Sequence, residues 1–233
     1  MDEHRRRLLQ AGRYCCQTLG MFAFFSVAVS TQVFSAPATF NKGSVSIGIG
    51  GGLALISMDD VTNQNNIRDQ AFQTQWEEFG TAPEVTADIR YAIVNKFFLG
   101  LEGGYFRATI HEPTGNDPLG ATSSEASCVP LVFIAGWSTT PDGNVVFRVL
   151  GGLGALINGK LVDDRGKSLS GTGAIAQVGG EVEWRAFSQG ALAVEGLVRS
   201  AKVVEPEGAL FDLDFSGGSL RLMLRGYFGG KSP

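Results

Sequence analysis

Between Thr172 and Val204 apolar and polar residues alternate almost without a break. In the first run Ala174, Ala176, Val178, Gly180, Val182 and Trp184 share one face, while Gln177, Gly179, Glu181, Glu183 and Arg185 share the other. After the turn Ser188-Gln189-Gly190, residues Leu192, Val194, Gly196 and Val198 alternate with Ala193, Glu195, Leu197 and Arg199. A period of two sustained over this length predicts a β-hairpin with one apolar and one charged face.

The same period recurs along the chain and predicts eight strands: 44–56, 84–94, 97–110, 127–139, 145–157, 172–187, 191–204 and 217–228. In the second, Val85, Ala87, Ile89, Tyr91 and Ile93 oppose Glu84, Thr86, Asp88 and Arg90. In the third, Phe97, Leu99, Leu101 and Tyr105 oppose Gly100, Glu102, Gly104 and Phe106. In the fifth, Val145, Phe147, Val149 and Leu153 oppose Arg148, Gly152 and Gly154. In the last, Leu220, Leu222, Leu224 and Phe228 oppose Arg221, Met223, Arg225 and Tyr227. The fourth carries no charge and contains Pro130, so its facing stays open and its start is expected to be irregular. Strands 2–3, 4–5 and 6–7 are joined by about two to five residues, the other pairs by about a dozen or more, including 158–171. An up-and-down meander with that alternation has short turns on one rim and long loops on the other.

Alternation alone fits two barrels. A soluble, lipocalin-like barrel binding a lipophile keeps its apolar face inside; a membrane barrel turns it outward. The charged face decides for the second. It carries the acids Glu84, Asp88, Glu102, Glu181, Glu183 and Glu195 and the arginines Arg90, Arg148, Arg185, Arg199, Arg221 and Arg225, with no lysine. Arginine predominates where ion pairs are enclosed, because its planar fork meets carboxylates in fixed geometry. The same face is rich in glycine, which makes room beside long side chains; the chain has 32 glycines in 233 residues. The expected fold is therefore all-β: an eight-stranded antiparallel up-and-down transmembrane β-barrel with an interior ion-pair network. Tyr91, Phe97, Trp137, Phe147, Trp184 and Phe228 stand near strand ends, where an interfacial girdle belongs.

The N-terminus changes the picture in one respect. Arg5, Arg6, Arg7 and Arg13 precede an apolar core at Leu19–Val29 and small residues at Ser35–Ala38. This predicts a cleavable export signal over 1–38 and a barrel domain over 39–233, with a retained helical anchor as the alternative. Cys15 and Cys16 lie on the wrong side of the apolar core for lipid modification. Taking four arginines and two acids (Asp2 and Glu3) from 19 basic and 23 acidic residues leaves a net charge of −6, which argues against nucleic acid as a partner. Cys128 alone remains, so neither a disulfide framework nor a zinc site is supported.

The eight-strand meander, the export signal and the closing run Leu220–Phe228 (LRLMLRGYF) together resemble the small outer-membrane barrels of the OmpA/OmpX/opacity type, over nearly all of the mature chain. The resemblance implies a bacterial outer-membrane location, contact with outer-membrane lipid and lipopolysaccharide, insertion by the barrel-assembly machinery, a monomer, and a non-enzymatic envelope or surface role. That family ends on the aromatic of its last strand; here GGKSP follows Phe228.

Candidate chemistry is sparse. His111 is the one histidine after the export segment, and no His–Ser constellation accompanies it. Glu181 and Glu183, two apart on one face, have the spacing of a carboxylate dyad, but six arginines on that face favour structural pairing. Gly48–Gly52 lacks the full dinucleotide pattern and no helix is expected after it. No catalytic residue, metal or cofactor is expected. The long loops are acidic, Asp59 and Asp60 among them, and suit the recognition of a host or environmental ligand. Residues 65–80 predict a helix with Phe72, Trp76 and Phe79 at i, i+4 and i+7, either a rim cap or a contact site. A narrow channel for a small solute is the alternative function.

Overall fold

The computed structural model describes residues 40–112, 120–139, 144–187, 189–204, 206 and 211–229, without the side chains of Asp59, Asp60, Gln64 and Arg68. The expected export segment lies outside the described residues. The elements in chain order are β1 (Val45–Leu55), α1 (Asp59–Phe72), β2 (Thr81–Val94), β3 (Phe97–His111), β4 (Ser123–Ser138), β5 (Val145–Asp163), β6 (Ser168–Phe187), β7 (Gly190–Val203), the two-residue β8 (Leu213–Asp214) and β9 (Gly217–Phe228). No described helix is long and apolar enough to cross a membrane.

Each long strand pairs antiparallel with its neighbour in sequence, β7 pairs with β9, and β9 returns to β1 from Val45↔Phe228 to Ala54↔Ser219. Eight strands therefore close into a ring, so no long strand is left without a neighbour on either side, which is the condition for a sheet to sit in hydrocarbon. The short β8 pairs with the end of β7. Pro130 falls where expected to disturb: the β3–β4 ladder stops at Gly103↔Leu131 and resumes at Phe106↔Cys128. Proline has no N–H to contribute there.

Alternation carries the apolar set outward on every strand. Leu153 is 70% exposed, Val198 65% and Leu220 62%. In water such a continuous surface would be an aggregation hazard; facing acyl chains it is what the fold requires. The six aromatics expected near strand ends all face outward at the short-turn rim, while Tyr105 faces outward nearer the long-loop rim. The fourth strand, open from sequence, turns Leu131, Phe133 and Trp137 outward and buries Cys128, Val132 and Ile134.

Two expectations are corrected. Residues 158–171 are not a loop: β5 and β6 continue to a turn over 164–167. A bulge between Leu156 and Gly159, with Asn158 at φ 53°, absorbs the irregularity, and the ladder resumes from Gly159↔Gly171 to Val162↔Ser168. Polar residues are tolerated because this hairpin rises beyond the apolar belt. The helix runs over Asp59–Phe72 rather than 65–80; Gln73 turns left-handed (φ 58°) and donates its N–H to the Asp69 carbonyl at 2.9 Å, ending the helix before Trp76.

Leu153 lies midway along the outward face of β5. Leu153→Arg should cost about 2–4 kcal/mol if that face meets lipid, against about 0.5 kcal/mol or less for an exposed position in water. Urea titration of the folded chain in lipid vesicles distinguishes the two.

Candidate functional site

All twelve charged residues expected on the inner face are placed inside the barrel, from 0% exposed at Glu183 and Glu195 to 4% at Asp88 and Arg185. They share their face with glycines that leave space for them; at Gly48 a Cβ would stand 2.8 Å from Asp88 Oδ1. The pairs form three levels. Toward the long loops, Arg221 donates to Glu84 (2.6 Å), Glu102 (2.8 Å) and Glu195 (3.0 Å), and Arg199 donates to Glu84 (2.8 Å). At mid-height Arg90 reaches Glu181 (2.9 Å), Glu195 (3.0 Å) and Asp88 (3.1 Å), and Arg225 reaches Asp88 and Glu181 at 2.8 Å. Toward the short turns, Arg148 meets Glu181 and Glu183 at 2.5 Å each, and Arg185 meets Glu183 at 3.2 Å.

Ring topology shows what these bonds span. β2 and β6 are four strands apart in a ring of eight, so Arg90–Glu181 joins opposite walls. Arg221–Glu102 (β9 to β3) and Arg199–Glu84 (β7 to β2) each cross three strand positions. Cross-lumen bonds at 2.8–2.9 Å leave no open bore at those levels.

The wall formed by β3, β4 and β5 completes the filling with apolar residues. Phe98, Phe106, Val132, Ile134, Leu150 and Leu156 are buried there. The Arg90 guanidinium lies 4.9 Å from the Phe98 ring and that of Arg199 5.3 Å from Phe106, so cationic planes rest on aromatic faces. At the short-turn end Phe40 packs on Phe98 and Tyr227, with centroids at 6.1 and 5.6 Å, and the Tyr227 hydroxyl donates to Glu183. Phe40, Tyr227, Gln177 (to Glu102, 3.2 Å) and Ser138 (accepting from Arg148, 3.1 Å) belong to the network but were not among the expected members. Parity had already set two of them on the charged face, Tyr227 with Arg225 and Gln177 with Glu181, but as uncharged residues they were left out of the ion-pair set. Phe40 precedes the first strand and left no periodic signal.

Glu181 and Glu183 both point inward, and each is held by arginines, so the pair is a structural acceptor rather than an acid–base couple. No group of three or more His, Cys, Asp or Glu among the described residues is arranged to hold a metal.

At the long-loop rim the contact-site reading of Trp76 and Phe79 is corrected. Both are buried, at 8% and 6% exposure, in an apolar cluster with Ile56, Met58, Phe106 and Phe215. They cap the barrel instead of facing outward, because the chain after Gln73 folds back toward His111: Glu77 donates its N–H to the His111 carbonyl at 3.0 Å, and His111 donates its own to Glu77 Oε2 at 3.0 Å. Phe72 remains half exposed, as does Ile67 earlier on α1. Asp59 and Asp60 open α1; their side chains lie outside the described residues. A second tie joins the 112–122 connection to the β5–β6 turn. The Thr122 hydroxyl donates to Asp164 at 2.5 Å and its N–H at 3.0 Å, which holds the Asp164 carboxyl below the usual carboxylate range.

A closed ring with an oily exterior and an ion-paired interior defines a transmembrane β-barrel, with the fold of the small outer-membrane barrels. Among solved structures the chain is similar to the N-terminal β-barrel domain of OprF from Pseudomonas aeruginosa, with a TM-score of 0.50 and 11% identity over 81% of this chain and 99% of that one. It is similar to Neisserial surface protein A at the same TM-score and identity, over 80% and 98%. No protein-family model matches the sequence, and no curated protein does.

Removing one partner leaves buried charge unpaired. Arg221→Ala removes the arginine from Glu102 and one of two from Glu84 and Glu195, and should lower stability by about 3–5 kcal/mol, measured by urea unfolding in micelles. Unchanged urea resistance would contradict an enclosed network. At the rim, the Asp164 tie holds above the ordinary aspartate pKa and is lost as pH falls through the lowered value. Thr122→Val should move the Asp164 titration upward, as read from its carboxyl carbon by NMR.

Proposed function

We propose that this chain is a non-enzymatic outer-membrane barrel serving the envelope, with surface recognition through its long acidic loops rather than passage through its interior. Residues 1–38 direct export, the barrel-assembly machinery inserts the remainder, and the monomer contacts outer-membrane lipid and lipopolysaccharide. The observation that carries the reading is the Arg90–Glu181 bond across the diameter, with pairs above and below it. A solute would have to break several buried charge-assisted bonds in succession, at a cost no narrow conduit sustains. Eight strands enclose room for side chains only.

What remains accessible is the long-loop rim. Ile67 and Phe72 are exposed on α1, 61% and 50%, beside an acidic surface that includes Glu77 and Glu78. Exposed apolar residues amid negative charge suit a partner with a basic, partly apolar face. Its identity as a host or environmental ligand is tested by cell or surface binding of Ile67→Ser/Phe72→Ser, which should lose binding while folding normally.

Reconstituted into a planar bilayer, the protein should show no steady conductance above the bare membrane. Reproducible single-channel steps from the folded protein would replace this reading with the narrow channel.

A further inference from the structure

Above the apolar belt, the outer face of three adjacent strands carries one aligned polar row. Arg107 on β3 pairs with Ser127 on β4, and Ser127 pairs with Lys160 on β5. Their inward neighbours settle the facing. Phe106 and Ala108 are buried on either side of Arg107, and Ala126 and Cys128 on either side of Ser127. Gly159 faces Val203 and Phe215 inside the rim, and Leu161 packs against the buried cluster, so Lys160 between them stands outward. The next outward residues toward the membrane centre are Tyr105 and Val129 and, past the exposed bulge residue Asn158, Ile157. The row therefore sits where acyl chains give way to headgroups.

We propose that Arg107, Ser127 and Lys160 form a binding site for the phosphate of an anionic membrane lipid, on the outer wall of the barrel at the long-loop rim. The proposal rests on the membrane reading of the barrel and goes beyond it by naming residues and chemistry. Two strand spacings separate Arg107 from Lys160, about 10 Å between Cα atoms, a span that two long cationic side chains close around one phosphate while the Ser127 hydroxyl donates from below. The occupant is a lipid rather than a free anion because, Asn158 at the bulge aside, the surface beneath the row faces hydrocarbon; a phosphate held there keeps its acyl chains on Tyr105, Val129 and Ile157.

Glu125, one position nearer the rim on the outward face of β4, accepts from Arg107 Nη2 at 2.5 Å, with the Arg107 side chain 56% exposed. A guanidinium has five donors, and this contact occupies one of them, so the fork stays at the rim with donors left for phosphate. The carboxylate also opposes the anion, which gives the site a direction to be tested.

The test uses the full folded chain in neutral-detergent micelles, with lipid retention read by native mass spectrometry and folding by heat-modifiable gel mobility. The probes are bisphosphorylated lipid A, the same lipid with its phosphates removed, and inorganic phosphate as competitor. The phosphorylated lipid should be retained and the dephosphorylated one not. Arg107→Gln/Lys160→Gln should weaken retention by roughly tenfold or more, since each cation near an anionic headgroup contributes about fivefold and the two together about 25-fold before screening. Glu125→Gln should strengthen it, and Lys202→Gln, which lies off the row and is paired with Asp214 at 3.0 Å, should leave it unchanged. Equal retention by the folded double variant overturns the proposal, as does weakened or unchanged retention in Glu125→Gln. Displacement by millimolar inorganic phosphate overturns the lipid as occupant. If the wild-type chain fails to insert into neutral vesicles, the membrane reading fails first and is recognised by that separate readout.

Discussion

Arg90 and Glu181 meet at 2.9 Å from opposite walls, and much of the barrel follows from the need to complete pairs of this kind. Withdrawing a guanidinium or a carboxylate from water costs several kcal/mol, and attraction across the lumen offsets that only when geometry and hydrogen bonding are good. Six acids against six arginines make the interior neutral as a set, so each charge has opposite charges within reach. Long side chains need volume, which accounts for glycine at Gly48 beside Asp88 and at Gly100 beside Arg90; Gly152 makes room instead for Val132 and Ile134. Aromatic planes on the apolar wall then receive the cations from the side: Phe98 under Arg90 and Phe106 under Arg199.

The exterior answers a different demand. Hydrocarbon offers no hydrogen bonds, so the backbone must close on itself, which the β1–β9 and β7–β9 ladders accomplish. Inside and outside are coupled by the pleat. A one-residue slip in any strand would carry arginine into lipid and leucine into the lumen, so the ionic pairs and the oily belt enforce the same register. Irregularities are kept to positions where this coupling is relaxed: the interrupted pairing at Pro130 and the bulge at Asn158 lie near the rim, where the wall leaves the belt.

Both ends of the filled interior are covered, and by unlike means. Phe40, from the segment before β1, packs on Tyr227 and Phe98 beneath Arg148. At the other end Trp76, Phe79 and Phe215 roof the upper ion pairs with apolar surface, which keeps water from competing for Arg199 and Arg221.

The period of two, the turn lengths and the segregation of Arg with Glu are local properties, and they sufficed to determine the number of long strands, meander order, the facing of all but the fourth and the twelve inward charges from Glu84 to Arg225. What required the tertiary structure is everything that depends on meeting across the lumen or above it. Alternation says that Glu181 points inward but not that it faces Arg90, because that contact is set by ring closure and stagger between strands 91 residues apart. Polar composition at 158–171 reads as loop, yet pairing with a neighbouring strand beyond the belt makes it sheet. Trp76 and Phe79 read as one face of a helix; burial in the cluster that also holds Phe106 and Phe215, from β3 and the segment before β9, made them a cap. Phe40 has no partner within its own stretch of sequence, and only the closed barrel gives it one.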